Sequence, residues 1–165
     1  MTKQLILFRH GKSDWGTEGL PDHDRPLAKR GIKAAQHMGK LVATADQIPD
    51  LVRSSTALRA RTTAELAMTA GSWPCPLELN PALYDTTPLA TLDFLRMTPD
   101  SINRLILVGH EPTWSTLASL LMGGGQVQMP TGAMISLELG LDSWATIAPD
   151  RGCLHWLLIP RLFAN

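Results

Sequence analysis

Two histidines stand at matching places in the chain. His10 follows the apolar run Leu5–Phe8 and Arg9, and His110 follows Leu105–Val108 and Gly109. Between them lies SSTALRARTTAE, which carries Arg59. A histidine that accepts a phosphoryl group must present one neutral ring nitrogen while the other donates to a fixed acceptor. The rest of the chemistry is positioning, and positive charge around the equatorial oxygens. Arg9 and Arg59 are suited to supply that charge through planar, charge-assisted hydrogen bonds. Arg59 falls near the start of a predicted helix, where the macrodipole also favours an anion. His110 offers a further donor, and Gly11 is expected to let the backbone pass close to a ligand. Taken singly, an arginine after a strand is a solvated charge and a histidine is structural. Two strand-end histidines with this arginine segment between them point instead to a phosphate pocket that needs no metal.

The same stretch invites a competing reading, because Gly11-Lys12-Ser13 is how a P-loop ends. A P-loop needs a glycine five residues before its final glycine. That position is Ile6, inside the apolar run, so the phosphate-wrapping loop is absent. A cysteine phosphatase needs an arginine six positions after its cysteine. Pro81 and Ile159 stand six beyond Cys75 and Cys153. No HExxH or paired-cysteine metal motif occurs. His23, between Asp22 and Asp24, is read as a polar loop histidine rather than a metal ligand.

Several elements must position these residues. Leu5–Phe8 and Arg104–Gly109 read as strands buried on both faces. Ile32, Ala35, Met38, Leu41 and Val42 recur at helical spacing between residues 30 and 45. DLVRSS reads as a short strand, followed by a helix over 56–71 with Ser54, Ser55 or Thr56 as its cap and Gly71 as its stop. PLELN is a weak edge strand. PLATLDFLRM is a helix with Leu89, Leu92 and Leu95 on related faces. EPTWSTLASLLMGG is a helix begun by Pro112 or Thr113 and stopped near Gly123. AMISLEL and LHWLLIP close the chain as strands. Alternating strands and helices predict a three-layer α/β/α sandwich around a mixed, mostly parallel sheet, with late antiparallel pairing. Ligands bind such sheets beyond the carboxyl ends of the strands. Arg9–Gly11, Ser54–Arg59 and Gly109–Glu111 all fall there.

The 165 residues suit one domain over 1–165, with 44% hydrophobic and 18% charged residues. Fifteen basic residues balance fifteen acidic ones. No broad basic surface is left for nucleic acid. The opening apolar run is too short for a signal peptide or a membrane span. Two cysteines suit a reducing compartment. A cytoplasmic monomer is expected.

LFRHGKSDW, RPLAKRGIKAAQ, SSTALRARTTAE, LVGHEPTW and MPTGAMISLEL occur in this order. Together they resemble the histidine phosphatase superfamily, with its phosphoglycerate mutase-like fold. Within it, the short length and the late PTGA stretch resemble the SixA-type phosphohistidine phosphatases. The resemblance runs from Leu5 to about Arg161. It implies that His10 becomes phosphorylated and that Arg9, Arg59 and His110 hold the phosphoryl group. It places Lys12 and Ser13 in the loop beyond the nucleophile, either touching ligand or solvated, and Ser13 is a candidate phosphate contact. Ala28 stands where the family often has Thr, which removes a helix cap worth about 1 kcal/mol. Thr56 replaces a common proline.

Relatives acting on phosphate monoesters supply a carboxylic acid to the leaving oxygen. Here the position is unclear, and Asp85 and Glu111 are the candidates, each also readable as an ordinary loop carboxylate. A phosphohistidine N–P bond needs less help, so a weak acid site fits that substrate. The expected activity is therefore hydrolysis of phosphohistidine in a protein, such as a histidine phosphotransfer domain, with no cofactor. Two rivals remain: a phosphatase of small phosphoesters, and a module that binds phosphoproteins without turnover.

Overall fold

The strands Lys3–Arg9 (β1), Leu51–Ser54 (β2), Leu77–Leu79 (β3), Arg104–Gly109 (β4), Met134–Leu139 (β5) and Gly152–Leu158 (β6) form one sheet in the order β3-β2-β4-β1-β5-β6. The computed structural model describes residues 2–163. Met1, Ala164 and Asn165, part of the expected domain, lie outside the described residues. Strands β3, β2, β4 and β1 run parallel, and β5 and β6 pair antiparallel. The expected mostly parallel mixed sheet is present.

The helices are Lys29–Thr44 (α1), Leu58–Gly71 (α2), Pro88–Arg96 (α3) and Thr113–Leu121 (α4). Alternation along β1 sends its residues to two different layers, as the two-residue period of a strand requires. Ile6 and Phe8 pack with Met38 and Val42 of α1 and Ala60, Ala64 and Ala67 of α2. Leu5 and Leu7 pack with Leu92 and Leu95 of α3 and Trp114 and Leu117 of α4. β1 and β4 are therefore apolar throughout, because both faces are covered.

Helices α1 and α2 cross closely. A Cβ on Gly39 would lie 2.1 Å from the Ala67 carbonyl oxygen, and one on Gly71 2.3 Å from that of Gly39. This corrects the role expected for Gly71. It is a contact point, and the helix is ended by Ser72, which adopts a left-handed φ of 53°. Gly11 is also a contact point. A Cβ there would lie 2.7 Å from the Gly31 carbonyl oxygen, so this glycine lets the loop pass α1.

The expected cap of α2 is also absent. Ala57 holds the N-cap position without a side-chain bond; the Ser55 hydroxyl meets His110 and also accepts from the Ala57 amide, and that of Thr56 meets His23. Ala28 caps α1 with no side-chain hydrogen bond, as its side chain dictates. In α3, Leu92 and Leu95 are buried, but Leu89 in the first turn is 64% exposed. Pro112 and Gly123 bound α4 as expected.

Candidate functional site

Parallel pairing brings three strand ends to one edge. Arg9 is in register with Gly109, and Ser54 with Val108. The His10 amide donates to the Gly109 carbonyl at 3.0 Å, and the Ser55 amide to that of Val108 at 2.9 Å. The Gly11 amide donates to Thr63 Oγ1, which itself donates to the Arg59 carbonyl. That relay ties the loop after β1 to the first turn of α2.

A cavity of about 770 Å³ opens at this edge. Arg9, His10, Ser13, Arg59, Asp85, His110 and Glu111, the residues expected from the sequence, all line it, as does Lys12.

His10 is buried, and its Nδ1 lies 2.7 Å from the Gly11 carbonyl oxygen. A carbonyl only accepts, so Nδ1 carries the proton and Nε2 presents a lone pair. Arg59 Nε donates toward that Nε2 at 3.4 Å. Burial above all, with the cations Arg59, Arg9 and Arg25, lowers the His10 pKa to about 4 against the opposing Gly11 hydrogen bond. Burial, then the nearby His10 and Arg59, takes His110 down to about 3. Its Nε2 lies 2.8 Å from Ser55 Oγ, and its ring centroid 5.2 Å from that of His10. Arg9 donates through Nη1 to the Met129 carbonyl at 2.8 Å, while its Nε is buried without an acceptor.

These shifts predict a specific titration. Both rings stay neutral well below the ordinary histidine range, and a ring-proton NMR titration is expected to place the His10 midpoint near pH 4. In the unfolded chain it titrates near 6.5. The unfolded state therefore binds more protons between those values, and stability is lost as pH falls from about 6.5 toward 4. A His10 midpoint near 6.5 in the folded protein would contradict this.

Three residues that sequence reasoning did not assign to the pocket complete it. The Asp22 carboxylate accepts from Arg59 Nη2 at 3.0 Å, from Arg25 Nη2 at 2.8 Å and from the Tyr84 hydroxyl at 2.9 Å. Partial burial raises its pKa, but the bonds from Arg25, Tyr84 and Arg59 outweigh this and hold it well below the usual carboxylate range. Arg59 also donates through Nη1 to the Asp22 carbonyl at 2.6 Å. Arg25 donates to Ser13 Oγ at 2.6 Å and lies 3.6 Å over the Trp15 ring. Asp22 thus fixes both guanidinium planes beside His10. The signal was the acid three residues before Arg25 in DHDRP, which looks like a solvated charge run.

The two candidate acids differ. Glu111 accepts from the Ser115 amide at 2.8 Å and from its hydroxyl at 2.6 Å, so both oxygens hold the first turn of α4. Asp85 has a left-handed φ of 52° at the cavity wall, and among the described residues it has no hydrogen-bond partner. His23 is engaged with Thr56 Oγ1 at 2.9 Å and stacks edge-on to Tyr84. Among the described residues no three His, Cys, Asp or Glu side chains group as metal ligands would. Cys75 and Cys153 are free thiols. No helix among the described residues is long and apolar enough to cross a membrane.

Fold, paired histidines and arginine cluster together define a class, and comparison with known proteins agrees. The family pattern described as "Histidine phosphatase superfamily (branch 1)" matches residues 5–87. The chain belongs to the histidine phosphatase superfamily, which makes it a phosphatase by class. It is 34% identical to an uncharacterized protein of Mycobacterium tuberculosis, over 93% of this chain and all of the relative. Among solved structures it is similar to the SixA protein of Agrobacterium tumefaciens, with a TM-score of 0.81 and 25% identity over 97% of this chain and 99% of that one. It is also similar in fold to the protein histidine phosphatase SixA complexed with tungstate, with a TM-score of 0.83 and 22% identity over 98% and 99% of the two chains.

Proposed function

We propose that the protein removes phosphoryl groups from phosphohistidine in proteins, through a phosphohistidine intermediate on His10. The observation that carries the reading is the His10 tautomer. Nδ1–H is committed to the Gly11 carbonyl, so Nε2 is the free nucleophile, and its ring is neutral at physiological pH. In the first step the Nε2 lone pair attacks phosphorus. The substrate's N–P bond breaks, its imidazole keeps the electron pair, and that ring takes a proton from solvent. In the second step water attacks the phosphohistidine, a proton returns to solvent, and His10 and inorganic phosphate are released.

Arg9, Arg59 and His110 stabilise the transferring group in both steps. Arg9 Nε–H lacks an acceptor, and a phosphoryl oxygen beside His10 supplies one. Arg25 and Asp22 orient Arg59, and Lys12 adds charge at the mouth. The reading calls for no metal, because arginines bear the charge, and it suits an enzyme of the cytoplasm acting as a monomer. A match to SixA structures supports the protein substrate, such as a histidine phosphotransfer domain.

One observation favours a second reading, phosphate monoesters. The Asp85 carboxyl lies at the cavity wall without a hydrogen-bond partner among the described residues, and an alkoxide leaving group needs a proton. A substrate panel separates the two. The expected result is a kcat/KM at least about a hundredfold higher, roughly 2.7 kcal/mol, on phosphohistidine proteins than on phosphate monoesters. Preference for monoesters, with the larger loss in Asp85→Asn on those substrates, would assign the second reading.

A further inference from the structure

A second cavity, of about 780 Å³, opens beside the first and shares Lys12 and Thr131 with it. Its wall is basic: Lys12, Lys29, Arg30, Lys33, His37 and Arg161 line it, and no acidic residue does. Its remaining surface is largely apolar, including Ile159, Pro160 and Phe163. Helix α1 holds no Asp or Glu anywhere along its length. In a chain of zero formal charge this is a local segregation, not a consequence of composition.

The segregated cations are also unpaired. Arg25, Arg53, Arg59, Arg61 and Arg96 each form an ion pair with a carboxylate. Among the described residues, the five Lys and Arg side chains of this groove form none. The buried His37 Nε2 has no partner there among the described residues. Like charges four apart on a helix repel, and Lys29 and Lys33 are so spaced. A polyanion seated in the groove would relieve that repulsion.

We propose that this groove docks an acidic segment of the phosphoprotein substrate, adjoining its phosphorylated histidine; the proposal rests on the phosphohistidine reading above. Lys29 to His37 spans about 12 Å along the helix. One phosphate cannot meet polar groups spread that far, whereas carboxylates on successive turns can. The apolar floor accepts the aliphatic residues between them. Lys12, two residues after His10, makes the groove continuous with the phosphate pocket. A single-stranded nucleic acid would instead need a row of stacking rings, and Phe163, leaning on His37 at 6.1 Å between centroids, is the one phenyl ring in the lining.

The test uses phosphohistidine peptides of one length with acidic, neutral or basic flanks, and the double variant Arg30→Glu/Lys33→Glu. Both substituted residues are exposed and outside the catalytic pocket. Wild type is expected to favour the acidic peptide over the neutral one by about tenfold in kcat/KM. The variant loses that preference and turns over the neutral peptide as wild type does. High salt erases the preference in wild type. Equal turnover of the three peptides by wild type would overturn the docking groove and leave the phosphatase reading standing.

Should no peptide be turned over, the phosphohistidine reading fails by itself. Fluorescence anisotropy with an unphosphorylated acidic peptide then decides the groove. Binding that the double variant loses supports it, and binding that the variant keeps overturns it. A single-stranded oligonucleotide that binds more tightly than the acidic peptide also overturns it.

Discussion

Replacing His10 with alanine lowers kcat by at least about 10⁴-fold on any phosphorylated substrate, because no other group in the pocket is placed to attack phosphorus. Arg9, Arg59 and His110 remain in the variant. They bind phosphate and stabilise direct attack by water, so a small residual rate survives. Binding of inorganic phosphate changes little, which separates loss of the nucleophile from loss of the site. The ring is 7% exposed, and its hydrogen bonds are to the adjacent Gly11 carbonyl and from Arg59 Nε. Its removal opens space at the cavity wall rather than in either apolar layer, and the unfolding transition remains cooperative. Added imidazole is expected to restore part of the rate by occupying the vacated space. Single-turnover kinetics on a phosphohistidine peptide make the measurement, and an unimpaired rate would sink covalent catalysis.

Replacing Arg59 with alanine is expected to lower kcat/KM by about 10³-fold. Two effects act in one direction. The variant loses the charge nearest His10 Nε2. The Asp22 carboxylate keeps Arg25 and Tyr84 but loses Arg59, which leaves more negative charge beside the phosphoryl site. The His10 pKa rises, because Arg59 is the largest cationic influence on it, but burial still holds it below its ordinary value and the ring stays neutral. Arg59→Lys restores charge but not the planar fork that grips Asp22 while presenting Nε to His10. It should recover phosphate binding more than kcat. Parallel measurement of kcat, KM and phosphate inhibition in the two variants checks this, and a loss below about threefold in Arg59→Ala would contradict it.

Much of this site was legible because it is built on regular elements. A strand buried on both faces leaves a continuous apolar run, and its first polar residue marks the sheet edge. His10 and His110 were read that way, and parallel pairing of β1 with β4 brings their rings together. Arg59 was legible because a short strand and a helical pattern flank it.

Asp22, Arg25 and Tyr84 were not legible, since each lies in a loop or a short turn whose conformation has no periodic signature. Their importance comes from Asp22, which meets Arg59 across 37 positions of chain and Tyr84 across 62 while also holding Arg25, and only the folded loops establish those contacts. The hydroxyls of Ser55 and Thr56 were misassigned for a related reason. Local preference makes them helix caps, but the helix begins one residue after Thr56, at an Ala57 N-cap, and both oxygens meet neighbouring histidines. Gly11 and Gly71 carry another limit. A glycine's need for close approach depends on the element that passes it, here Gly31 and Gly39.

The central claim is that His10 carries the phosphoryl group between the two steps. Rapid mixing of the enzyme with a stoichiometric phosphohistidine protein, quenched in alkali and mapped by mass spectrometry, tests it most directly. Phosphate on His10 that appears before inorganic phosphate, decays with it, survives base and is lost in acid is the predicted result. Consumption of the substrate with no phosphoenzyme at any time, or with the phosphate on another residue, would contradict the account.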